Sequence, residues 1–572
     1  MAEEKKYIHD DVYAEFFGSE KYPVEWKNEE EKKLMWFYDD LHCPNPISPM
    51  YFSVGGWWGP TCKYFYHRFG VGGSDWIAKR IGCYVYTAVV PETTPAELMP
   101  GMGAYYGGVI TEYALNFMDQ WDNEYVPELK ELANKMVDFD FEGSSLGSAM
   151  IHLEDCLDWQ ERAFRIHWIL NYAQAQASGT FGAIYEQATG AVDEDLSLIN
   201  VSNDDRNWDS LRDAYNIKEY IKRVPAQYDL WTNKSKEEIM AEYADVEGGI
   251  ELKKMMDAYI EEYGWKPLYA HEYIGKLWRE DPTPVFAAIK GYVIDDYDYP
   301  TQIKRNNDSQ QGAINRARAK ITDPALKEEF EKWLEINLKM LTLTPNHHFY
   351  IDQAIYAHMR MAFLGVAGKL VKLGKLDDPE DIFYLFYDEL RAGAFSDLDL
   401  KALVAAHKAE MAEAATKQPR YWYGTVDEWQ LNVELYKRIL WGYPEIFWAT
   451  KDKYEAEEAG TVVESSSQVL EAIPGSAGVV EGPARVVSSP AEFDDIQPGE
   501  IMVCRMTNPG WIIAFSKIAG LVTDTGGALS HPAVVSREFG IPCVVGTITA
   551  TSDIKTGDKI RVDGDNGTVT IL

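Results

Sequence analysis

The sequence predicts a multidomain protein: a large, mainly α-helical domain over residues 1–454, a linker at 455–472, and a small α/β domain over 473–572. Three observations lead there. A chain of 572 residues is too long for one hydrophobic core. Up to about residue 455, long segments carry apolar residues at helical spacing. Beyond that point, short apolar runs alternate with turn residues.

The helical periodicity is clearest in three segments. In "MIHLEDCLDWQERAFRIHWILNYAQAQA" the residues Trp159, Ala163, Ile166 and Leu170 share one face, with Glu161, Arg162 and Arg165 between them. "ITDPALKEEFEKWLEINLKML" alternates acidic and basic residues, and Asp323 before Pro324 reads as its N-cap. "DQAIYAHMRMAFLGVAGKLVKL" repeats the pattern through Ile355, Met359, Phe363 and Val366. Segments such as "SVGGWWGPTC" read as irregular loops. The polar stretch "KDKYEAEEAGTVVESSSQ" loses all periodicity and reads as the linker. Strands are then expected in "AGVVEGPARVV", "EIMVCRM", "GLVTD", "IPCVVG" and "KIRVDGDNGTVTIL", the last folded into a hairpin at "DGDNG". Two segments between them, "NPGWIIAFSKIA" and "SHPAVVSREFG", have helix length.

Composition narrows the function. A formal net charge of −36 argues against nucleic acid and anionic membrane surfaces as partners. No apolar run approaches the roughly 20 residues that span a bilayer, and the opening "MAEEKKYIHDD" shows no targeting pattern, so a cytoplasmic location is expected. Cys43, Cys62, Cys83, Cys156, Cys504 and Cys543 form no CxxC pair and read as reduced core thiols. The 18 Trp and 35 Tyr suit large aromatic cores or a pocket for a flat ring.

The segment "TDTGGALSHPAVV" carries the chemistry. It reads as strand, glycine turn and helix start, with Ser530 at the N-cap and Pro532 in the first turn. His531 therefore stands at a helix mouth, where free N–H groups favour an anion, and Gly526 and Gly527 allow close backbone approach. A neutral imidazole is a nucleophile, and the setting would stabilise a phosphoryl group attached to it.

Three ordered stretches, "IPGSAGVVEGPARVV", "GEIMVCRMTNPGW" and "TDTGGALSHPAVVSREFGIPCVVG", make residues from about 470 to 572 resemble a phosphohistidine swivelling domain. That domain is shared by phosphoenolpyruvate synthase, pyruvate phosphate dikinase and rifampin phosphotransferase. Pro532 stands where this family usually has alanine. The resemblance implies that His531 is transiently phosphorylated, that Thr525, Gly526, Gly527 and Ser530 line the phosphate, and that Thr507 and Arg505 contact it. Arg537 fits either a phosphate or a structural role.

No Walker-type loop or ATP-grasp segment is recognisable in residues 1–460, and the chain ends after the swivelling domain without a phosphoenolpyruvate-binding barrel. The layout of helical domain plus His domain is similar to part of rifampin phosphotransferase and closer to the α-subunits of phenylphosphate synthases. "PNPISPMYF", "YGWKPLYAHEYIGKLWREDPTPVFAAIKGY" and "TPNHHFYIDQAIYAHMR" carry that similarity. It implies a phosphotransferase subunit acting on a small phenolic hydroxyl acceptor, supplied by a separate ATP-grasp subunit that binds ATP and Mg²⁺ and releases AMP and phosphate. Where antibiotic phosphotransferases of this layout tend to carry Arg, Glu or Lys, this chain has His347 and His348, which points away from an antibiotic acceptor.

Within the helical domain, His347 and His348 are read as a loop pair preceding a helix, suited to a general base or phosphate ligand. His271 with Glu272 is a second candidate; His67, His358 and Lys266 rank lower. Trp57, Trp58 and Tyr350 are candidates for holding an aromatic ring. His152 and His167 read as core-edge residues, and no ligand spacing singles out a metal site. Homo-oligomerisation stays open. The rival reading is a non-catalytic phosphohistidine carrier that passes phosphate to another protein.

Overall fold

The longest element is the helix Leu146–Thr189, 44 residues and about 66 Å long. Ser145 caps its start by accepting from the Ser148 N–H, and Gly190, at φ +88°, ends it in the left-handed conformation that glycine tolerates. This is a computed structural model; it describes residues 26, 28–40, 42–56, 58, 64, 68–70, 75–90, 95–190, 192, 194–267, 271–417, 419–426, 447–448, 450–452, 454–455, 469–488, 490–507, 511–515, 517–527 and 530–572. Trp57, His67, Cys62 and most of the expected linker, 456–468, lie outside them.

Helices Met99–Gln120, Pro324–Leu341 and Ala354–Lys372 pack on the long helix. The stripes expected from the sequence are the packed faces: Ala163, Ile166 and Leu170 are buried, as are Ile355, Met359, Phe363 and Val366. Asp323 caps its helix as expected, accepting from the Ala325 N–H. Helices between Arg206 and Ile294 gather around a separate core containing Trp208, Ile221, Trp231, Met256 and Phe286.

The large domain also holds a sheet that the helical reading missed. Strands β1 (Met35–Tyr38), β2 (Asp75–Ile81), β3 (Tyr84–Val90) and β4 (Trp422–Gly424) pair antiparallel in the order β2-β3-β1-β4. The β2–β3 hairpin turns through Gly82 and Cys83, both at positive φ (+55° and +68°), the two-residue geometry that matches strand twist.

The small domain has eight strands, ordered β5-β12-β11-β7-β8-β9-β10-β6: β5 (Val469–Glu471), β6 (Ile473–Ser476), β7 (Val479–Val487), β8 (Ile501–Cys504), β9 (Gly520–Thr523), β10 (Cys543–Val545), β11 (Lys559–Asp563) and β12 (Thr568–Ile571). Strands β7 to β10 run parallel. Strand β8 shows why its residues are all apolar: Ile501 and Val503 enter the core on one face, Met502 and Cys504 that on the other. The "DGDNG" hairpin forms, with Asp563 opposite Thr568. Two expectations need correcting. Strand β5 pairs with β12, so the sheet takes residues 469–471 from the expected linker. Of the first helix-length segment, only Ile512–Phe515 is described as helix.

The two domains are in contact. The Tyr421 hydroxyl donates to the Ile548 carbonyl at 2.8 Å, and Phe539 packs with Phe349 against the second helical core. The described cysteines, 43, 83, 156, 504 and 543, are buried. Among the described residues no helix is long and apolar enough to cross a membrane.

Candidate active site

His531 is the first residue of the helix His531–Phe539, placed there by the glycine turn after β9. Gly526 adopts φ +111°, and a Cβ there would stand 2.7 Å from Ser530 Oγ. Ser530 occupies the N-cap position, but its hydroxyl donates back to the Gly527 carbonyl at 2.7 Å and does not cap the helix. That bond closes the turn. Thr525 likewise spends its N–H and hydroxyl on the Arg505 carbonyl, both at 3.1 Å.

The imidazole is held by one bond: His531 Nδ1 lies 2.8 Å from Thr507 Oγ1. Nε2 is shut from solvent and has no hydrogen-bond partner. Burial pushes the ring's pKa down to about 3, with a small contribution from His348. It is therefore neutral near pH 7, the form in which one nitrogen keeps a lone pair.

His348 belongs to the large domain, so its influence on His531 crosses the domain contact. The run Leu343–His347, His348–Gln353 and Ala354–Lys372 is helical throughout, which corrects the expected loop at His347 and His348. Its middle segment has a wider turn. Residues 347 and 352 would diverge by about 140° on an α-helix; the wider turn brings them to one side, an irregularity frequent at functional sites. Asp352 is buried, with His347 Nε2 and His348 Nε2 each 3.6 Å from Oδ2 and His167 Nδ1 3.5 Å from Oδ1. Burial alone would raise the Asp352 pKa, but His167, first among its imidazole neighbours, holds it far below the carboxylate range.

His271 joins from the other side, its Nδ1 3.1 Å from the Tyr51 hydroxyl and its ring edge-on to His42 at 5.0 Å. Burial lowers the His271 pKa to about 3. His42, which sequence reading did not select, bonds Asp39 Oδ1 through Nδ1 at 2.8 Å. Burial opposes its charge, yet Asp39 prevails and raises the pKa. Tyr51, Tyr356 and Phe164 wall the cluster, Tyr356 lying 5.3 Å from Tyr51 and 5.6 Å from Phe164. Six of the 11 histidines thus converge here: His42, His167, His271, His347, His348 and His531.

Other expected site residues fall elsewhere. Trp58 is core, packed on Phe52 and Tyr51. Glu272 is an internal clamp, accepting from Ser48 N–H and Oγ and from the N–H groups of Tyr273 and Ile274. Lys266 sits in the second helical core beside a cavity of about 20 Å³, its pKa lowered to about 8 by burial and Arg206. Tyr350 faces Trp121 and Lys130. His358 stacks on Trp265 at 3.6 Å, and His152 on Phe139 at 4.2 Å as a core residue. Arg505 lies over Tyr38 at 4.5 Å and near Tyr421, both in the large domain. Arg537 Nε donates to the Gly475 carbonyl, a structural bond.

With this geometry in hand, comparison with known proteins is decisive for the small domain: the model of the PEP-utilising enzyme mobile domain matches residues 496–567. The chain carries a PEP-utilising enzyme mobile domain. A second model, the rifampicin phosphotransferase fourth domain, matches residues 212–342, largely the second helical core and the helices after it. Bacillus subtilis YvkC, described as an uncharacterized phosphotransferase, is 27% identical over 401 residues, 70% of this chain and 45% of its own length. The rifampicin phosphotransferase of Bacillus cereus is 27% identical over 338 residues, 58% of this chain and 36% of its own. The phosphoenolpyruvate synthase of Pyrococcus furiosus is 52% identical over 79 residues, covering 14% of this chain and 10% of its own. The chain spans less than half the length of these curated relatives.

Proposed function

We propose that this chain is the carrier and acceptor part of a phosphotransferase. His531 receives a phosphoryl group from ATP, held with Mg²⁺ on a separate ATP-grasp subunit, and passes it to a small phenolic hydroxyl in the large domain. The observation that carries the reading is His531 at the start of the helix His531–Phe539, with its Nε2 buried and unpartnered.

In this reading Nδ1–H donates to Thr507 Oγ1, 2.8 Å away, and Nε2 offers its lone pair to phosphorus. In the second half-reaction the acceptor oxygen attacks phosphorus in line. The P–Nε2 bond breaks, its electron pair returns to Nε2, and the hydroxyl proton passes to the imidazole of His348. Because Nδ1 keeps its proton, the leaving group is neutral histidine. The aromatic wall of Tyr51, Tyr356 and Phe164 favours a flat ring as acceptor.

Incubation with β-³²P-ATP, Mg²⁺ and an ATP-grasp partner should label the wild-type chain and leave His531→Ala unlabelled. A panel of phenols should then discharge the label. Label surviving in His531→Ala would overturn the phosphohistidine assignment, and label that no hydroxylated aromatic removes would overturn the acceptor.

A further inference from the structure

Asp352 is enclosed by imidazole nitrogens at distances that hydrogen bonding does not explain. N–H···O bonds span about 2.7–3.2 Å, yet His167 Nδ1 stands 3.5 Å from Oδ1 and His347 Nε2 3.6 Å from Oδ2. His167 Nδ1 and Asp352 Oδ1 are both closed to solvent and without a hydrogen-bond partner. Such groups are expensive to leave unmet in a folded protein.

The tautomer of His347 sharpens this. Its Nδ1 lies 2.8 Å from the Leu343 carbonyl and donates to it, so Nε2 of the neutral ring is a lone pair. That lone pair faces a carboxylate oxygen in a buried site. Two electron-rich atoms so placed call for a cation between them.

We propose that His167, His347 and Asp352 bind a divalent first-row transition ion through His167 Nδ1, His347 Nε2 and a carboxylate oxygen of Asp352. The three ligand atoms lie within 4.8 Å of one another. Bonds of about 2.0–2.2 Å in a tetrahedron hold ligands roughly 3.3–3.6 Å apart; each carboxylate oxygen of Asp352 already stands at such a separation from one imidazole, Oδ1 from His167 and Oδ2 from His347, and the site closes further on the ion. Imidazole and carboxylate suit Zn²⁺ and its neighbours better than Mg²⁺. The Leu343 carbonyl is the outer-shell acceptor that metal-bound histidines require. Three protein ligands leave a coordination position open, as in catalytic rather than structural sites. Resting on the acceptor reading above, that position takes the acceptor oxygen and makes it a better nucleophile toward the phosphoryl group on His531.

The test uses the full chain, stripped with a chelator, without ATP or partner subunit, so its outcome is independent of phosphoryl transfer. Titration with Zn²⁺ against a fluorescent chelator, with elemental analysis, should give one ion per chain. His167→Ala, His347→Ala and Asp352→Asn should each weaken binding by more than the about 10–100-fold that loss of an outer-shell partner costs. Zn²⁺ should raise the melting temperature of the wild type and not of these variants. Should a variant fail to fold, the visible spectrum of the Co²⁺-loaded wild type decides, with nitrogen coordination expected. No ion bound, a Co²⁺ spectrum without nitrogen ligands, or undiminished affinity in folded variants would each overturn the site.

Discussion

Thr507 Oγ1 stands 2.8 Å from His531 Nδ1, the hydrogen bond that orients this imidazole. Thr507 acts through His531 and is a positioning residue. Thr507→Val should slow labelling of His531 about tenfold, the equivalent of one hydrogen bond near 1.4 kcal/mol. Thr507→Ser should restore the rate, because it keeps the hydroxyl. Equal loss in both variants would show that the threonine methyl, and not the bond, matters.

Gly526→Ala tests the turn beneath the histidine. At φ +111° an L-residue is strained, and the added methyl would crowd Ser530 Oγ at 2.7 Å. A cost of about 1–3 kcal/mol is expected, read as a lower melting temperature of the small domain together with slower labelling of His531. A variant with unchanged melting and labelling would show that the turn relaxes without effect.

The small domain was legible because its signals are local. Alternation, the "DGDNG" turn and the glycine-serine-histidine order each lie within one short window, and strands β7 to β12 fall on the expected stretches. The histidine cluster of the large domain was only partly legible. His347 and His348 stand out as neighbours, but His167, Asp352 and His42 meet them only through folding, across separations no spacing rule reads. His167 looked like a core-edge residue because the helix that carries it is amphipathic. The first sheet was readable at its Gly82–Cys83 hairpin, whose flanking "YVYTAVV" is rich in β-branched and aromatic residues. Strand β4 lies more than 300 residues from its partner β1, so nothing local announces it.

Arg360 ties the segment bearing His271 to the long helical run. It is 1% exposed and donates to both oxygens of Glu280, to Glu380 and to the Tyr273 carbonyl, the last at 2.7 Å. Glu280 and Glu380 keep some contact with water, so loss of the guanidinium costs less than breaking a fully buried pair, about 1–3 kcal/mol. Arg360→Met should lower the denaturation midpoint of the large domain. It should also slow discharge of phosphorylated His531 to acceptor while leaving its labelling intact, since Tyr273 follows His271 by two residues. Labelling reduced as much as discharge would mean that the defect is global.

Asp40 is expected to make domain contact sensitive to pH. It is buried, and it faces Arg505, Asp39, Thr525 and Asp524, all but Asp39 from the small domain. Burial is the main cause of a pKa raised to about 7, against the pull of Arg505, and Asp524 is likewise raised to about 6 by burial. A carboxyl whose pKa is higher in the docked than in the separated state binds its proton more tightly when docked. Below the ordinary carboxylate range, near pH 4, both states are protonated and docking gains nothing from pH. As pH rises from there to about 7, the separated state ionises first and docking weakens; above that range the penalty is constant. Small-angle scattering should therefore show a larger radius of gyration at pH 8 than at pH 5. Asp40→Asn should shrink that difference and hold the domains together at pH 8. A radius independent of pH in the wild type, or an Asp40→Asn variant that opens as the wild type does, would remove Asp40 from control of docking.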